Sequence, residues 1–262
     1  MEQLRRIVYD RSGILLRENK EAMVSARLNK RMRMLGLADS REYLQYLHQD
    51  ATGDELVRLI DAIATNVTRF FREPDHFLFL GEVARRWVSE GQKKMRFWSS
   101  ACSTGEEPYS MVMTLLEAVK GHPVDIRVLA TDISTRVLES CRDGVYKEET
   151  VEAVPAALRN RYLWRIRDGK KVTYRVREEL KGRVVFKWLN LSRPPFPMRG
   201  PLDAILCRNV IIYFDDRVRR NLMEEFFRLL KPGGYLIVGH AESLSGRGTR
   251  FEVVRPSIYV KN

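Results

Sequence analysis

Residues Arg96–Ser110 read Arg-Phe-Trp-Ser-Ser-Ala-Cys-Ser-Thr-Gly-Glu-Glu-Pro-Tyr-Ser, a run that leaves room at the backbone and sets acid beside that room. Phe97 and Trp98 suit a buried strand. Ser99, Ser100, Ala101, Cys102, Ser103, Thr104 and Gly105 then carry almost no side-chain bulk. Pro108 falls in the first turn of a helix, where its missing N–H costs nothing. Met111, Val112, Leu115, Leu116 and Val119 give that helix an apolar face. Such a turn lets a ligand approach the main chain at the C-terminal end of a strand, the place where open α/β sheets bind nucleotides. The G-x-G-x-x-G fingerprint is missing, which argues against a dinucleotide. Glu106 and Glu107 at the helix mouth repel phosphate and suit a ligand with hydroxyls or positive charge.

A further acid lies where such a site needs one. Asp125–Asp132 reads as the next strand, and the strand–helix–strand spacing puts Asp132 within reach of a ribose diol. Taken alone, Asp132 would serve equally well in capping the helix that begins Ser134-Thr-Arg-Val-Leu. Beside the small-residue turn, the diol reading is the stronger.

These loops need a sheet to hold them, and the chain is long enough to build one. Its 262 residues are 44% apolar, ample for one large domain and a smaller one. No apolar run approaches membrane-spanning length, and Met-Glu-Gln-Leu-Arg-Arg at the start lacks a signal-peptide core. Cys102, Cys141 and Cys207 form no C-x-x-C pair, as expected of free thiols in a reducing cytosol. The four histidines have no zinc-ligand spacing, so no metal is expected. The formal charge of +12 implies an acidic partner: nucleic acid, an anionic membrane surface or an acidic protein. Basic residues are densest at Arg27–Arg33 and Arg159–Arg183.

Residues 1–64 read as an all-helical domain, with apolar positions at helical spacing in Leu4, Ile7, Val8 and in Met23, Ala26, Leu28, Met32, Leu35. Asp39 with Glu42, and Thr52 with Glu55, have capping-box spacing. Residues 65–93 read as a linker and the first helix of the next domain, opened by Pro74. An α/β domain runs over 94–262, interrupted at about 145–182 by an antiparallel β insertion. Within that insertion, Leu163–Arg167 and Val172–Arg177 form a hairpin around an Asp168-Gly169 turn. The third strand is Arg183–Leu189, followed by Asn190-Leu191. The fourth is Leu202–Cys207, followed by Arg208-Asn209. A helix over Asp216–Leu230 and a tight turn at Lys231–Gly234 lead into a fifth strand, Tyr235–Gly239. Phe251–Val254 and Ser257–Val260, split by Arg255-Pro256, close the sheet as a hairpin. A mostly parallel sheet finished by an antiparallel hairpin resembles the Rossmann-like architecture of S-adenosylmethionine-dependent methyltransferases.

Four blocks narrow the resemblance: Asn66-Val-Thr-Arg-Phe-Phe-Arg72, Ala101–Ser110, Cys207-Arg-Asn-Val-Ile-Ile-Tyr-Phe214, and Leu230–Gly234 with Gly239-His-Ala-Glu-Ser243. Over nearly its whole length the chain resembles the CheR family of chemotaxis receptor glutamate O-methyltransferases. The resemblance implies a cytoplasmic enzyme that methylates the cytoplasmic domain of methyl-accepting chemoreceptors at receptor arrays. It implies S-adenosylmethionine as cofactor, S-adenosylhomocysteine as product, and no metal. Carried over by position, Asn66, Thr68 and Arg72 would reach the cofactor from the linker. Glu107 and Asp132 would hold its amino-acid or ribose portions. Asn190 and Leu191 would border the adenine, and Arg208 and Asn209 would close the methionine side. Arg72 and Tyr213 would stand near the transferred methyl as the catalytic pair. Val67 and Cys102 depart mildly from the family pattern.

The chemistry suits those residues. A glutamate carboxylate, with an ordinary pKa of about 4.3, is already ionised at neutral pH and needs no general base. Catalysis then reduces to in-line positioning and desolvation. Other residues in the blocks have plainer expected roles. Phe70 and Phe71 pack a core, His240 satisfies a turn hydrogen bond, and Lys231–Gly234 is a structural turn. Two rival functions are a nucleic-acid methyltransferase and a cofactor-binding regulator without turnover. The Asn/Asp-Pro-Pro-aromatic block of many base methylases is missing after the fourth strand; Pro194-Pro195 precedes that strand. The intact Arg72, Asp132 and Tyr213 argue against a regulator. Some family members grip a receptor C-terminal peptide with the β insertion. Here the turn Ile166–Lys171 is more charged than their Gly-rich turn, and the sequence leaves that point open.

Overall fold

A computed structural model describes residues 2–16, 21–63, 68–244 and 250–262. The N-terminal part is four helices: α1 (Glu2–Ser12), α2 (Glu21–Leu35), α3 (Ser40–Gln49) and α4 (Asp54–Ile63). Leu4, Val8, Val24, Leu28, Tyr43 and Leu59 form its core. Asp39 caps α3 by accepting from the Arg41 and Glu42 amides at 2.7 and 2.9 Å, and Glu42 reaches back to the Ala38 amide at 2.8 Å.

The second capping box does not form. The Glu55 amide goes to Asp50 at 2.7 Å, and the Glu55 side chain turns into the bundle. There it is 3% exposed, accepts from the Tyr43 hydroxyl at 2.7 Å and is held by both arms of the Arg31 guanidinium. A charge-assisted pair that satisfies a buried phenol outweighs an exposed cap bond. Arg31 is therefore spent inside the fold, and Arg27 donates to the Ile63 carbonyl at 2.7 Å. Of the four cations in this run, Lys30 and Arg33 are the exposed ones.

The remaining elements are α5 (Pro74–Ser89), β1 (Lys94–Ser99), α6 (Glu106–Ala118), β2 (Asp125–Asp132), α7 (Thr135–Asp143), β3 (Val145–Lys147), α8 (Glu148–Val151), α9 (Ala156–Tyr162), β4 (Leu163–Asp168), β5 (Lys171–Val176), α10 (Glu178–Lys181), β6 (Val184–Trp188), β7 (Leu202–Cys207), α11 (Asp216–Leu229), β8 (Leu230–Val238), β9 (Phe251–Arg255) and β10 (Ile258–Lys261). The main sheet has the order β6-β2-β1-β7-β8-β10-β9. Its first five strands are parallel, and β10 is antiparallel to both neighbours. Successive residues of β1 feed opposite cores: Met95 and Phe97 pack on one face, Trp98 on the other. Strand order reverses between β1 and β7, which opens a crevice beyond their C-terminal ends.

The insertion forms a separate antiparallel sheet, β3-β5-β4. Asp168 pairs with Lys171, so the two-residue loop is Gly169-Lys170, one position later than the sequence pattern suggests. Gly169 has φ 56°, as a tight hairpin turn requires. The Lys231–Gly234 turn also sits differently. Leu202 pairs with Leu230 and Ala204 with Tyr235, so these four residues bulge from a strand that has already begun. A Cβ on Gly234 would lie 2.9 Å from the Lys231 carbonyl oxygen and 3.2 Å from that of Leu202, so the bulge needs glycine there. Among the described residues, no helix is long and apolar enough to cross a membrane.

Candidate active site

A cavity of about 320 Å³ occupies the crevice between β1 and β7. The small-residue turn forms its floor. Ser100 donates from its amide to the Leu206 carbonyl at 2.9 Å, and the Cys102 amide donates to Thr131 at the same distance, tying the turn to both neighbouring strands. Gly105 has φ 99°, and a Cβ there would come within 2.7 Å of the Tyr146 hydroxyl. Asp132, at the end of β2, accepts from the Ser103 amide at 2.9 Å and from the Ser134 amide at 3.0 Å. Capping of α7 falls to Ser134, whose hydroxyl accepts from the Val137 amide at 3.2 Å. One Asp132 oxygen thus binds the turn, the other the loop before α7, and each keeps a lone pair for a ligand. Loss of water around the carboxyl pushes its pKa up to about 6, opposed by those two amides and aided by Asp61.

The opposite wall is an ionic chain. Arg208, just past β7, has 2% of its side chain exposed and lies 3.1 Å from both Glu107 and Glu73. Its guanidinium also donates to the Arg72 carbonyl. Ser99 donates to the other Glu107 oxygen at 2.7 Å. Burial raises the Glu107 carboxyl above the ordinary range against the pull of Arg208. For Glu73, burial pushes the same way, but Arg208 outweighs it and the carboxyl stays below its usual range. Phe71 and Glu73 have φ 53° and 56°, so Arg72 is flanked by two left-handed non-glycine residues. That strain is held in place by the Arg208 contacts and by the Phe71 amide donating to Ser110 at 3.0 Å.

Tyr213 ends a short 3-10 turn, Ile211–Tyr213. Its loop is organised by Glu242, which is 5% exposed and accepts from the amides of Asn209, Ile212 and Gly239 at 2.6, 3.2 and 2.9 Å. Glu242 lies in a quoted sequence block but carried no expected role. Its signal was an acid inside an otherwise small turn after the fifth strand. His240 departs from expectation. It meets the Asp75 carboxylate at 3.0 Å and stacks edge-on with His76 at 4.8 Å. Glu73, His76 and His240 bring possible metal-ligand atoms within 4.8 Å of one another. Arg208 already neutralises Glu73, and burial first, then Arg208, holds His76 down at about 4 and hence neutral. The buried His76 ring lies 3.3 Å from the Glu73 carboxylate, and His240 meets Asp75.

Thr68, Arg72, Glu107, Asp132, Asn190, Leu191, Arg208, Asn209 and Tyr213 all line this one cavity. Asn66 lies outside the described residues. Sequence reasoning missed Ser12 and Ile14, which also line it from the end of α1. Phe70 is buried in the core as expected, and Phe71 packs against that core. The donor set fits S-adenosylmethionine. Asp132 keeps acceptor capacity for the donors of a ribose diol, and Glu107 sets a carboxylate in the cavity for the cationic end of the ligand, with Arg69, Arg72 and Arg208 beside it for a carboxylate.

A parallel sheet with its cavity at the order reversal, a small-residue turn after β1 and an acid closing β2 define a Rossmann-like, S-adenosylmethionine-dependent methyltransferase. The chain belongs to the CheR methyltransferase family: the family's all-alpha domain matches residues 1–64 and its SAM binding domain residues 66–260. It is 38% identical over 269 residues to a chemotaxis protein methyltransferase of Borreliella burgdorferi, covering 100% of this chain and 94% of the relative. It is 40% identical over 257 residues to the chemotaxis protein methyltransferase of Escherichia coli, covering 98% and 88%. Chemotaxis protein methyltransferase 2 of Pseudomonas aeruginosa is 40% identical over 242 residues, covering 92% and 85%.

Proposed function

We propose that this chain transfers the methyl group of S-adenosylmethionine to glutamate side-chain carboxylates in the cytoplasmic domain of chemoreceptors. The carrying observation is the composition of the cavity. Arg72 and Tyr213 line it together with Glu107 and Asp132, and no histidine lines it among the described residues. That is a site without a His–Asp base pair among the described residues, suited to a nucleophile that is already ionised. When bound, the cofactor supplies an electrophilic methyl group. Asp132 holds the ribose diol, and Glu107, screened by Arg208, faces the cationic end. Arg72 orients the incoming carboxylate bidentately, and Tyr213 donates one hydrogen bond. No step calls for a metal.

The reading places the enzyme in the cytoplasm, at receptor arrays, with no nucleic acid as substrate. Lys30 and Arg33 on α2 would meet the acidic receptor helices. The receptor's C-terminal peptide would pair with β4, an outer strand of the small sheet that carries Trp164 and Ile166, 55% and 36% exposed. Methyl-labelled cofactor incubated with chemoreceptor membranes, receptor tails deleted in one arm and RNA in another, tests this. Alkali-labile label released as methanol from the membranes supports a carboxyl ester. Label in RNA overturns the reading, and equal labelling without the tail removes the peptide contact.

A further inference from the structure

Residues Arg69–Arg72 form a turn closed by the Arg72 amide, which donates to the Arg69 carbonyl at 3.4 Å. The two central residues anchor it. The buried Phe70 ring meets Tyr146 edge-on at 4.9 Å, and the Phe71 ring meets Phe77 at 5.4 Å. With the centre fixed, both ends of the turn, Arg69 and Arg72, line the cavity. The two ends are not equivalent. Arg72 is half-buried and its carbonyl is held by Arg208, whereas Arg69 is exposed. Among the described residues the Arg69 guanidinium makes no hydrogen bond or ion pair. The carboxylates of the cavity and of the residues that follow the turn are already engaged. Glu73 and Glu107 go to Arg208, Asp75 to His240, and Asp132 to two backbone amides. A guanidinium at a cavity rim without an internal partner is free to meet an acid that arrives from outside.

We propose that Arg69 determines specificity for the acceptor: it takes a second carboxylate of the substrate, one helical turn from the glutamate that is methylated. The inference rests on the function proposed above. The ends of a four-residue turn lie within about 7 Å of each other. Side chains three or four residues apart on a helix have Cβ atoms about 5–6 Å apart. Arg72 and Arg69 therefore match two acids on one face of a helix, with Arg72 taking the acceptor and Arg69 its companion. The planar guanidinium grips that companion with two parallel bonds. The carboxylate of the cofactor is the other possible partner. The exposure of Arg69 favours the substrate, because a group at the rim meets what comes from solvent, while the cofactor fills the interior beside Asp132 and Glu107.

The test uses the full chain, methyl-labelled S-adenosylmethionine and helical fragments of a chemoreceptor cytoplasmic domain, each with one acceptor glutamate. One fragment carries glutamate at the positions one helical turn from the acceptor, and a second carries glutamine there. The parent chain should methylate the acidic fragment with a kcat/KM about fivefold higher at low salt, and the advantage should shrink as salt is added. Arg69→Gln should erase the advantage, and Arg69→Lys should keep part of it. Arg69→Glu should reverse it, and a fragment with lysine at the same positions should then be preferred. If the parent labels both fragments equally, or Arg69→Gln keeps the parent's preference, Arg69 reads no companion acid and the proposed function survives. If Arg69→Gln weakens S-adenosylhomocysteine about fivefold or more by calorimetry, Arg69 belongs to the cofactor and the specificity role falls. If neither fragment nor chemoreceptor membranes gain alkali-labile label, the proposed function falls and the role of Arg69 with it.

Discussion

Arg208 and Glu107 form a buried ion pair at 3.1 Å, with 2% and 11% of their side chains exposed, and the same guanidinium reaches Glu73 on the linker before α5. One cation thus joins the end of β7, the mouth of α6, the Arg72 carbonyl and the Glu73 carboxylate. Replacing it strands two carboxylates. Arg208→Met should destabilise the chain by about 3–5 kcal/mol, because breaking a buried pair leaves its partner uncompensated. Urea unfolding would read this directly. Arg208→Lys keeps the charge but cannot span all three partners, and should recover only part of the loss.

Asp132 gives the site a pH dependence with a defined sign. Its folded-state pKa is about 6, above the ordinary 3.8, so folding favours the protonated form. The contribution to stability is therefore fully present below the unfolded value and is lost as pH rises through 6. Binding runs the other way, since a ribose diol donates to the ionised carboxylate. S-adenosylhomocysteine affinity should fall by about tenfold per pH unit below 6. Asp132→Asn should flatten that profile. Asp132→Ala should cost about 1.5–3 kcal/mol of binding at neutral pH, or about tenfold or more. Calorimetry across pH 5–8 checks both, and an unchanged profile in Asp132→Asn would remove Asp132 from the ligand.

The basic run on α2 divides into structural and surface cations. Glu55→Ala should leave Arg31 buried and unpaired and unfold the helical bundle, at a cost of about 3–5 kcal/mol. Lys30→Glu with Arg33→Glu should leave stability within about 0.5 kcal/mol. That pair should weaken receptor methylation at low salt, where screening is least, and leave S-adenosylhomocysteine affinity unchanged. Circular-dichroism melting separates the first effect from the second. Parent-like methylation by the double variant at low salt would move the docking face elsewhere, for instance to Arg159–Arg183.

What the sequence displayed well was local. The turn after β1, the acid at the end of β2 and the Asn190-Leu191 and Arg208-Asn209 strand ends are legible because pattern and small-residue runs mark where strands stop. What it concealed depended on contacts across the fold. Thr52 and Glu55 have capping-box spacing, yet Glu55 serves Arg31 and Tyr43 on two other helices. The turn after α1, where Ser12 and Ile14 enter the cavity, carries only a glycine after a helix as its signal. It is tied to the far half of the chain, through Arg11 to Asn190 and through Leu15 to Tyr213. The bulge at Lys231–Gly234 reads as a turn, and the register with β7 shows the strand beginning before it.

Tyr213 and Arg72 should act on the geometry of transfer more than on cofactor affinity. Both line the cavity: Tyr213 sits on a loop fixed by Glu242, and Arg72 on a strained segment fixed by Arg208. Tyr213→Phe keeps the ring and removes one hydroxyl, so packing should survive. If that hydroxyl orients the reacting groups, the single-turnover rate at saturating cofactor should fall about 10²-fold, equivalent to a few kcal/mol of barrier, while S-adenosylhomocysteine affinity barely moves. Arg72→Ala should lower the rate further, and it should also weaken the cofactor, because the same linker supplies Thr68 to the cavity. Arg72→Lys should recover little, since a point charge cannot replace the planar two-pronged donor. An unchanged single-turnover rate in Tyr213→Phe would reduce that residue to packing and leave Arg72 to position the carboxylate alone.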